Sequence, residues 1–350
     1  MKIALVTDLH FGVRNDNQRV ADFQERFFKE EFFPYLDEHG IDTVVDLGDT
    51  FDRRKFINFY SLDRAKKMFF EPLRERNITL HALVGNHDAF YKNTLEINSM
   101  NLLAESYENI IVYNEAKEWN GILMIPWICG ENEEEIFNAA RTTNCQVLFG
   151  HLELEGYCMY KGQVLHYHGI KDDWLKKFDV VCTGHYHTKS TTGNVHYLGT
   201  PYEMTWNDAD DDKGFHVYDT ETRELEFIKN PNRMFKKIWY NDKDAVVTDI
   251  IEQDMEQYSN CFIKLIIKNK TNPYWFDMFI ERLERANPIH LQVVEDHLNL
   301  DLEDDDDVIA EAEDTLTILN NYITGLEIAA NKEEVTKEVH DLYSEALQIS

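Results

Sequence analysis

Short apolar runs alternate with amphipathic stretches over the first 200 residues. Between Gln18 and His39, apolar residues recur at three- and four-residue spacing, which predicts a helix with one buried face. Five runs are short and rich in β-branched residues, as buried strands are: KIALVTD, DTVVDLGD, ITLHALVGNHD, CQVLFGH and DVVCTGHYH. This alternation predicts an α/β domain with helices on both faces of its sheets. The segment GFHVYDTETRELEFIKN predicts a closing hairpin.

The pattern changes near Pro231. FKKIWY and CFIKLIIKN predict strands, and PYWFDMFIERLERANP predicts a helix between prolines. We therefore expect a first domain at 1–230 and a small α+β domain at 231–298. The acidic stretch at 299–308 predicts a solvated linker, because like charges at that density resist packing. Two amphipathic helices at 309–350 predict a helical hairpin that docks a partner.

Composition narrows the class of protein. A hydrophobic content of 43% with 29% charged residues is typical of a globular chain. Five cysteines without a C-x-x-C pair favour reduced thiols in a cytoplasmic protein. The net charge of −30 argues against non-specific binding to nucleic acid. However, the stretch between Arg285 and Lys332 contains no Lys or Arg, so the charge is uneven and a DNA-binding surface elsewhere is compatible with it.

Five apolar runs end in side chains that can bind a metal ion. In chain order they carry Asp8 with His10, Asp49, Asn86 with His87 and Asp88, His151, and His185 with His187. One such residue is usually a turn or capping residue, but five sets at the carboxyl ends of strands predict one shared site. Oxygen and imidazole ligands without thiolate suit Mn²⁺, Fe²⁺ or Zn²⁺. The number of ligands indicates two ions about 3.5–4 Å apart.

The motifs D-x-H, G-D-x-x-D, G-N-H-D, G-H and G-H-x-H occur in this order and resemble those of the calcineurin-like metallophosphoesterases. The resemblance covers nearly all of residues 1–200 and implies a four-layer α-β-β-α sandwich. It implies a first ion bound by Asp8, His10, Asp49 and His187, and a second bound by Asp49, Asn86, His151 and His185. His87 would stabilise the transition state and protonate the leaving oxygen, and Asp88 would orient His87.

The spacing of His185 and His187 has two interpretations. Positions i and i+2 of an extended chain point to the same side, so both imidazoles could reach one ion. The family resemblance instead implies that they serve different ions, one on each side of a bridging Asp49.

The order of the segments over the whole chain resembles the SbcD or meiotic-recombination-eleven nuclease subunits, most closely those of T-even-like bacteriophages. The resemblance implies a nuclease with 3′→5′ exonuclease and single-strand endonuclease activity in DNA recombination, double-strand-break processing and DNA degradation. Its ions would be Mn²⁺, with Mg²⁺ as the alternative. It implies a homodimer in the host cytoplasm, with an SbcC-type coiled-coil ABC ATPase docked on the hairpin. It also implies that the domain at 231–298 caps the first domain and contacts DNA. Two alternatives stay open: a nucleotide or small-molecule phosphodiesterase, and a non-catalytic scaffold.

Asp52 departs from the family, since many members have a histidine at this position. It is expected to support a metal ligand or to cap the next helix. Positive and aromatic side chains near the motifs are candidate DNA contacts, although each is equally compatible with an ordinary surface position. These candidates are Arg53, Arg54, Lys55, Tyr91, Lys92 and Lys161.

Three further patterns have plainer interpretations. His166 and His168 do not follow an apolar strand, so a loop position is expected for both. DADDD at 208–212 predicts a solvated loop and not an extra ion site. An apolar stripe at helical spacing fits a dimer surface or ordinary core; it comprises Leu62, Ala65, Met68 and Phe69.

Overall fold

The computed structural model describes residues 1–159, 169–243, 245–246, 248, 250 and 252–295. Met1–Asn299 form one compact unit. The predicted linker and helical hairpin lie outside the described residues, as do Lys161, His166 and His168.

The first sheet has six strands in the order β12-β11-β1-β2-β3-β4. β1 to β4 pair in parallel, and the predicted hairpin of β11 and β12 closes the sheet antiparallel to β1. The strands are β1 (Lys2–Val6), β2 (Thr43–Asp46), β3 (Thr79–Leu83), β4 (Ile110–Tyr113), β11 (Gly214–Asp219) and β12 (Leu225–Lys229).

The second sheet also has six strands, in the order β5-β6-β7-β8-β10-β9. Its central strands β6, β7, β8 and β10 are parallel, and β5 and β9 pair antiparallel at its edges. The strands are β5 (Lys117–Trp119), β6 (Ile122–Ile125), β7 (Val147–His151), β8 (Val180–Gly184), β9 (Ser190–Thr192) and β10 (Val195–Tyr197).

Helices cover the outer faces of both sheets. The helix expected between Gln18 and His39 is present as α1 (Gln18–Phe27, a π-helical turn Phe28–Phe32, and Phe33–His39), and Asn17 caps its start. The following helix is built in the same way. It is α2 (Phe59–Ala65, a π-helical turn Lys66–Phe70, and Glu71–Glu75). Two further helices are α3 (Ser99–Ala104) and α4 (Glu133–Thr142). The segment Asp172–Lys177 forms a 3₁₀ helix.

Three buried clusters show how these layers pack. One cluster joins the inner faces of the two sheets, with Leu5 and Val45 from the first facing Met124 and Phe149 from the second. A second cluster lies between the first sheet and α1 and α2, and a third lies between the second sheet and α4. This layering confirms the expected four-layer α-β-β-α sandwich.

The apolar stripe on α2 belongs to the core. Ala65, Met68 and Phe69 are buried in the cluster beneath the first sheet, and Leu62 packs against it. Of the two interpretations of this stripe, the structure therefore supports ordinary core. No helix among the described residues combines the length and apolar character that crossing a bilayer requires.

A small three-stranded parallel sheet follows the sandwich. It consists of β13 (Phe235–Asn241), β14 (Phe262–Asn269) and β15 (His290–Glu295), covered by α5 (Pro273–Arg285). Its own core includes Leu265, Phe279 and Leu283. Phe235 and Phe262, at the starts of β13 and β14, pack instead into the core of the sandwich. The base of the small sheet is therefore in contact with the larger domain.

Candidate metal centre

The strand ends that carry metal-competent side chains meet at one edge of the sandwich. β1, β2 and β3 end there in the first sheet, and β7 and β8 end there in the second. Their carboxyl ends face each other because the two sheets pack face to face. Side chains that are far apart in the sequence are thereby brought within a few ångströms.

The first cluster consists of Asp8, His10 and His187, whose ligand atoms lie within 4.8 Å of one another. Nε2 of His10 is 3.9 Å, and Nε2 of His187 is 4.0 Å, from Oδ1 of Asp8. Two atoms that bind one ion at about 2.1 Å each are at most about 4.2 Å apart. These atoms therefore fit around a single ion.

The second cluster contains Asp49, His151 and His185. Nε2 of His151 lies 3.2 Å from Oδ2 of Asp49. Oδ1 of Asn86 is 3.0 Å from Nε2 of His151 and 3.0 Å from Nδ1 of His185. Nδ1 of His151 donates to the carbonyl of Leu47 at 2.8 Å, so Nε2 is the nitrogen that would bind a metal ion once the ion displaces its proton.

Asp49 lies between the two clusters. Its Oδ2 is 3.2 Å from Nε2 of His151 in the second cluster and 4.0 Å from Nε2 of His10 in the first. A carboxylate in this position can be shared by two ions. His185 and His187, two residues apart in the chain, fall in different clusters.

The backbone at the site adopts conformations that side chains usually avoid. Asp8, His10, Asp49 and His185 all have positive φ angles, of 51°, 43°, 56° and 87°. Such conformations cost free energy and persist only where the surroundings impose them.

Two hydrogen bonds hold the turn between Asp8 and His10. The carbonyl of Leu9 accepts a hydrogen bond from the Tyr202 hydroxyl at 2.6 Å and another from Nε2 of Gln24 at 3.1 Å. Sequence analysis missed both residues, because neither one follows a strand.

Two glycines let these strand ends approach each other. A Cβ on Gly85 would overlap the side chain and backbone of Asp49, and a Cβ on Gly184 would overlap the hydroxyl of Thr7. That hydroxyl donates to Oδ2 of Asp8 at 2.7 Å. Glycine at both positions is therefore a packing requirement of the site.

The electrostatics of the clusters suit cations. Burial alone would lower the pKa of His10, but the carboxylates of Asp52, Asp49 and Asp8 outweigh burial and raise it to about 10. Burial also opposes ionisation of Asp49, yet the histidines around it, with His151 foremost, hold its pKa well below the usual range. The clusters therefore attract positive charge at neutral pH.

The donor set fits divalent metal ions. Nε2 of His10 is buried and has no hydrogen-bond partner among the described residues, although it faces two carboxylates. Burial, with His10 beside it, holds the pKa of His187 well below the usual range, so that ring is neutral and can donate a lone pair. Oxygen and imidazole ligands without thiolate match the chemistry expected for Mn²⁺, Fe²⁺ or Zn²⁺.

His87 lies beside the clusters. Its ring is 4.8 Å from the ring of His10, centroid to centroid, and its backbone N–H donates to Oδ1 of Asp49 at 2.7 Å. Nδ1 donates to the carbonyl of Asp52 at 2.6 Å. Since a carbonyl only accepts, Nδ1 carries the proton and Nε2 is the nitrogen left to exchange a proton with a substrate.

Asp88 does not orient the ring of His87, contrary to expectation. Its carboxylate accepts backbone N–H groups instead, at 2.9 Å from Asp49 and 3.0 Å from Gly85, with Thr50 and Phe51 at slightly longer range. An aspartate just after a strand end can turn back onto the loop, and Asp88 does so. It fixes the loop that carries Asp49, while the Asp52 carbonyl orients His87.

Comparison with known proteins agrees with this geometry. The family model of the calcineurin-like phosphoesterases matches residues 1–189, which contain every residue of the two clusters. The chain belongs to this family. It is therefore a metal-dependent phosphoesterase, and the two clusters offer places for the divalent ions.

Individual relatives of this phosphoesterase are also recognisable. Exonuclease subunit 1 of Enterobacteria phage T4 is 33% identical over 99% of this chain and 100% of its own length. The SbcD component of the SbcCD nuclease of Staphylococcus epidermidis is 22% identical over 79% of each chain. A solved archaeal phosphodiesterase covers 66% of this chain and all of its own at 14% identity, with a TM-score of 0.34, too weak a likeness to argue from.

The candidate DNA contacts of the phosphoesterase differ in their surroundings. Arg53 forms an ion pair with Asp16 at 3.0 Å, so its charge is already neutralised. Arg54 is half-buried. Lys55 and Lys92 are exposed, and Tyr91 is 49% exposed.

Asp52 is placed where it can support the first cluster. Its carboxylate lies 3.5 Å from Nδ1 of His10. A carboxylate on the far nitrogen of a ligating histidine is the usual supporting arrangement.

The segment 208–212 is not the solvated loop that its acidity predicts. Asp208 and Asp211 are buried beside Lys213, which is itself only 1% exposed. The signal in the sequence is Lys213, which directly follows the acids and can pair with them.

Trp127 is a second aromatic residue that sequence analysis missed. It follows β6 at the same sheet edge, and its ring lies 5.0 Å from that of His185 and 6.0 Å from that of His151. Its backbone N–H donates to the carbonyl of Val84 at 2.8 Å, which ties the segment to the end of β3. An indole binds no metal ion, so Trp127 carries no motif that would mark it in the sequence.

Proposed function

We propose that the chain is a Mn²⁺-dependent DNA nuclease with 3′→5′ exonuclease and single-strand endonuclease activity. The observation that carries the proposal is Asp49, whose Oδ2 lies 3.2 Å from His151 of one cluster and 4.0 Å from His10 of the other. Shared-carboxylate sites suit in-line displacement at phosphorus. The relatives named as an exonuclease and a nuclease favour DNA as the substrate.

Ions bound at the two clusters would supply positive charge at the phosphodiester and a more acidic water. The ligands are proposed as the resemblance implies, with Asp49 shared between the ions. The chain itself supplies His87, whose protonated ring would stabilise the developing charge and transfer a proton from Nε2 to the leaving oxygen. The bond from Nδ1 to the Asp52 carbonyl holds that ring in place.

DNA would approach over the segments that flank His87. Lys55, Tyr91 and Lys92 are exposed and follow the ends of β2 and β3. Lysines would hold phosphates without reading sequence, and the tyrosine would stack on a base. Arg53 would contribute less to DNA binding than the lysines, because Asp16 already neutralises its charge.

The partners are part of the proposal. An SbcC-type coiled-coil ABC ATPase would bind the C-terminal residues, and the complex would serve DNA recombination, double-strand-break processing and DNA degradation. Removing the residues from Asp301 onward should abolish ATPase binding in a pull-down and leave metal binding intact. Retained ATPase binding would contradict the proposed docking site.

The chain is also proposed to form a homodimer. The α2 stripe is buried, but Phe59 on α2 is 88% exposed and Leu102 on α3 is 65% exposed. Light scattering of the wild type should give the mass of a dimer, and a monomer at all concentrations would contradict this part of the proposal.

The nuclease proposal is tested with metal-stripped protein. Restoring Mn²⁺ should allow the wild type to cut circular single-stranded DNA. His87→Ala should not cut, whereas His39→Ala, a change at an exposed histidine outside the clusters, should cut normally. If the wild type leaves DNA intact but hydrolyses small phosphodiesters, the nuclease proposal fails and a small-molecule phosphodiesterase replaces it.

A further inference from the structure

Lys213, just before β11, is a buried lysine that contacts the backbone of His187, a residue of the first metal cluster. It is 1% exposed. Its Nζ donates to the carbonyl of His187 at 2.8 Å and pairs with Asp208 at 2.6 Å and Asp211 at 3.2 Å. A buried ammonium is tolerated only when it is paired and hydrogen-bonded, so these contacts hold Nζ in one place.

Asp208 is itself fixed from the opposite side. Its Oδ2 accepts the backbone N–H groups of Met204 and Thr205, each at 2.9 Å, and the Thr205 hydroxyl at 3.2 Å. The carboxylate that pairs with Lys213 is therefore held in place, and this pairing keeps Nζ close to the carbonyl of His187.

A second set of contacts leads from this lysine to the small sheet. The guanidinium of Arg233 donates to the carbonyl of Asp211 and pairs with Oε1 of Glu203 at 3.0 Å. Oε2 of the fully buried Glu203 accepts the backbone N–H groups of Met234 and Phe235 at 2.6 Å and 2.8 Å. These two residues lead into β13, so the contacts run without a gap from a cluster histidine to the base of the small sheet.

We propose that Lys213 is a positioning residue that sets the place of His187 in the first metal cluster, and that Asp211, Arg233 and Glu203 connect this placement to the three-stranded sheet. The inference rests on the proposed metal-binding role of His187. Lys213 acts through a backbone carbonyl and touches no ion. Residues that support a metal ligand from behind typically contribute 10–100-fold to metal affinity.

The test compares Lys213→Met with Lys177→Met. Lys177 is the control for a lysine that binds backbone carbonyls, since its Nζ donates to those of Ala140 and Thr143 at 2.8 and 2.9 Å, outside the clusters. Metal-stripped proteins are titrated with Mn²⁺ by calorimetry, and their Tm is measured without metal. In Lys213→Met, one of the two binding steps should weaken about tenfold or more, and it should be the step that His187→Ala removes. Lys177→Met should keep both steps.

Asp211→Asn is the second variant, in case Lys213→Met does not fold. It keeps the pairing of Lys213 with Asp208 and should weaken the same step by a smaller factor. Arg233→Met should affect that step too, which tests the connection to the small sheet. If these variants lower Tm while both steps keep wild-type affinity, or weaken both steps equally, the positioning role is overturned. A wild type that binds two ions and cuts DNA would still uphold the proposed function.

Discussion

The carbonyl oxygen of Asp52 accepts a 2.6 Å hydrogen bond from Nδ1 of His87, while the carboxylate of the same residue lies 3.5 Å from Nδ1 of His10. One residue thus serves two histidines with two different groups. The backbone carbonyl orients the proposed acid, and the side chain supports a metal ligand. Substituting the side chain removes only the second contact.

Asp52→Ala should therefore weaken metal binding and spare the chemical step. Loss of the carboxylate behind His10 should lower Mn²⁺ affinity at the first cluster by about tenfold or more. At saturating Mn²⁺, kcat should stay close to that of the wild type, because the carbonyl remains on His87. Mn²⁺ titrations of activity separate the two effects. A loss of kcat at saturating metal as deep as that of His87→Ala would contradict this division of roles.

His87→Ala should spare metal binding and slow the chemical step. Its ring belongs to neither cluster, so the protein should bind Mn²⁺ with wild-type stoichiometry and affinity. Loss of a general acid should lower kcat on DNA by about 10²–10⁴-fold. The loss should be much smaller on a nucleoside p-nitrophenyl phosphodiester, whose leaving group needs no proton. Equal losses on both substrates would argue against proton transfer by His87.

His185→Ala and His187→Ala should each weaken a different ion. Nδ1 of His185 lies 3.0 Å from Asn86 in the second cluster, whereas Nε2 of His187 lies 4.0 Å from Asp8 in the first. Calorimetric titration with Mn²⁺ should show one intact step in each variant, and a double variant should lose both. If either single variant loses both ions equally, the assignment to separate ions is wrong.

The sandwich and the strand ends were predictable because both depend on local patterns. Periodicity identifies the strands, and parallel strands in α/β sheets present their carboxyl ends at a common edge. Asp8, Asn86 and His151 could be found in this way, since each follows an apolar run directly.

Contacts between distant segments were not predictable. Asp88 accepts backbone N–H groups from a loop some 38 residues away, a pairing that no local spacing reveals. The high density of acidic residues near Asp208 predicts a solvated loop. Their burial depends on the ammonium of Lys213, which pairs with Asp208. Trp127 reaches the site only because β6 lies beside β7.

Gly184→Ala should damage the metal centre by crowding. The new Cβ would overlap the hydroxyl of Thr7 and lie 2.9 Å from Oδ2 of Asp8. Overpacking of this kind costs about 1–3 kcal/mol, and it should weaken Mn²⁺ binding as well as lower Tm. Gly130→Ala is the control, because a Cβ there meets nothing within 4 Å. Wild-type metal binding in Gly184→Ala would show that the close approach is not needed.

His216 should make the metal-stripped protein less stable in acid. Burial, with Lys189 and His196 nearby, lowers its pKa to about 3, against about 6.5 in an unfolded chain. Between pH 3 and 6.5 the unfolded chain therefore binds a proton at His216 that the native state does not bind. Stability from this residue is fully present above pH 6.5 and is lost progressively as pH falls toward 3, at up to about 1.4 kcal/mol per pH unit.

His216→Leu should reduce the loss of stability that occurs as pH falls. Nδ1 of His216 is buried and has no hydrogen-bond partner among the described residues, so an apolar side chain removes a burial cost as well as the titration. Urea unfolding of metal-stripped protein at pH 7.5 and 5.5 should show a smaller drop for His216→Leu than for the wild type. His39→Leu, at an exposed position, should keep the wild-type drop. Equal drops in all three proteins would mean that other groups control acid stability, since only His216→Leu removes this buried imidazole.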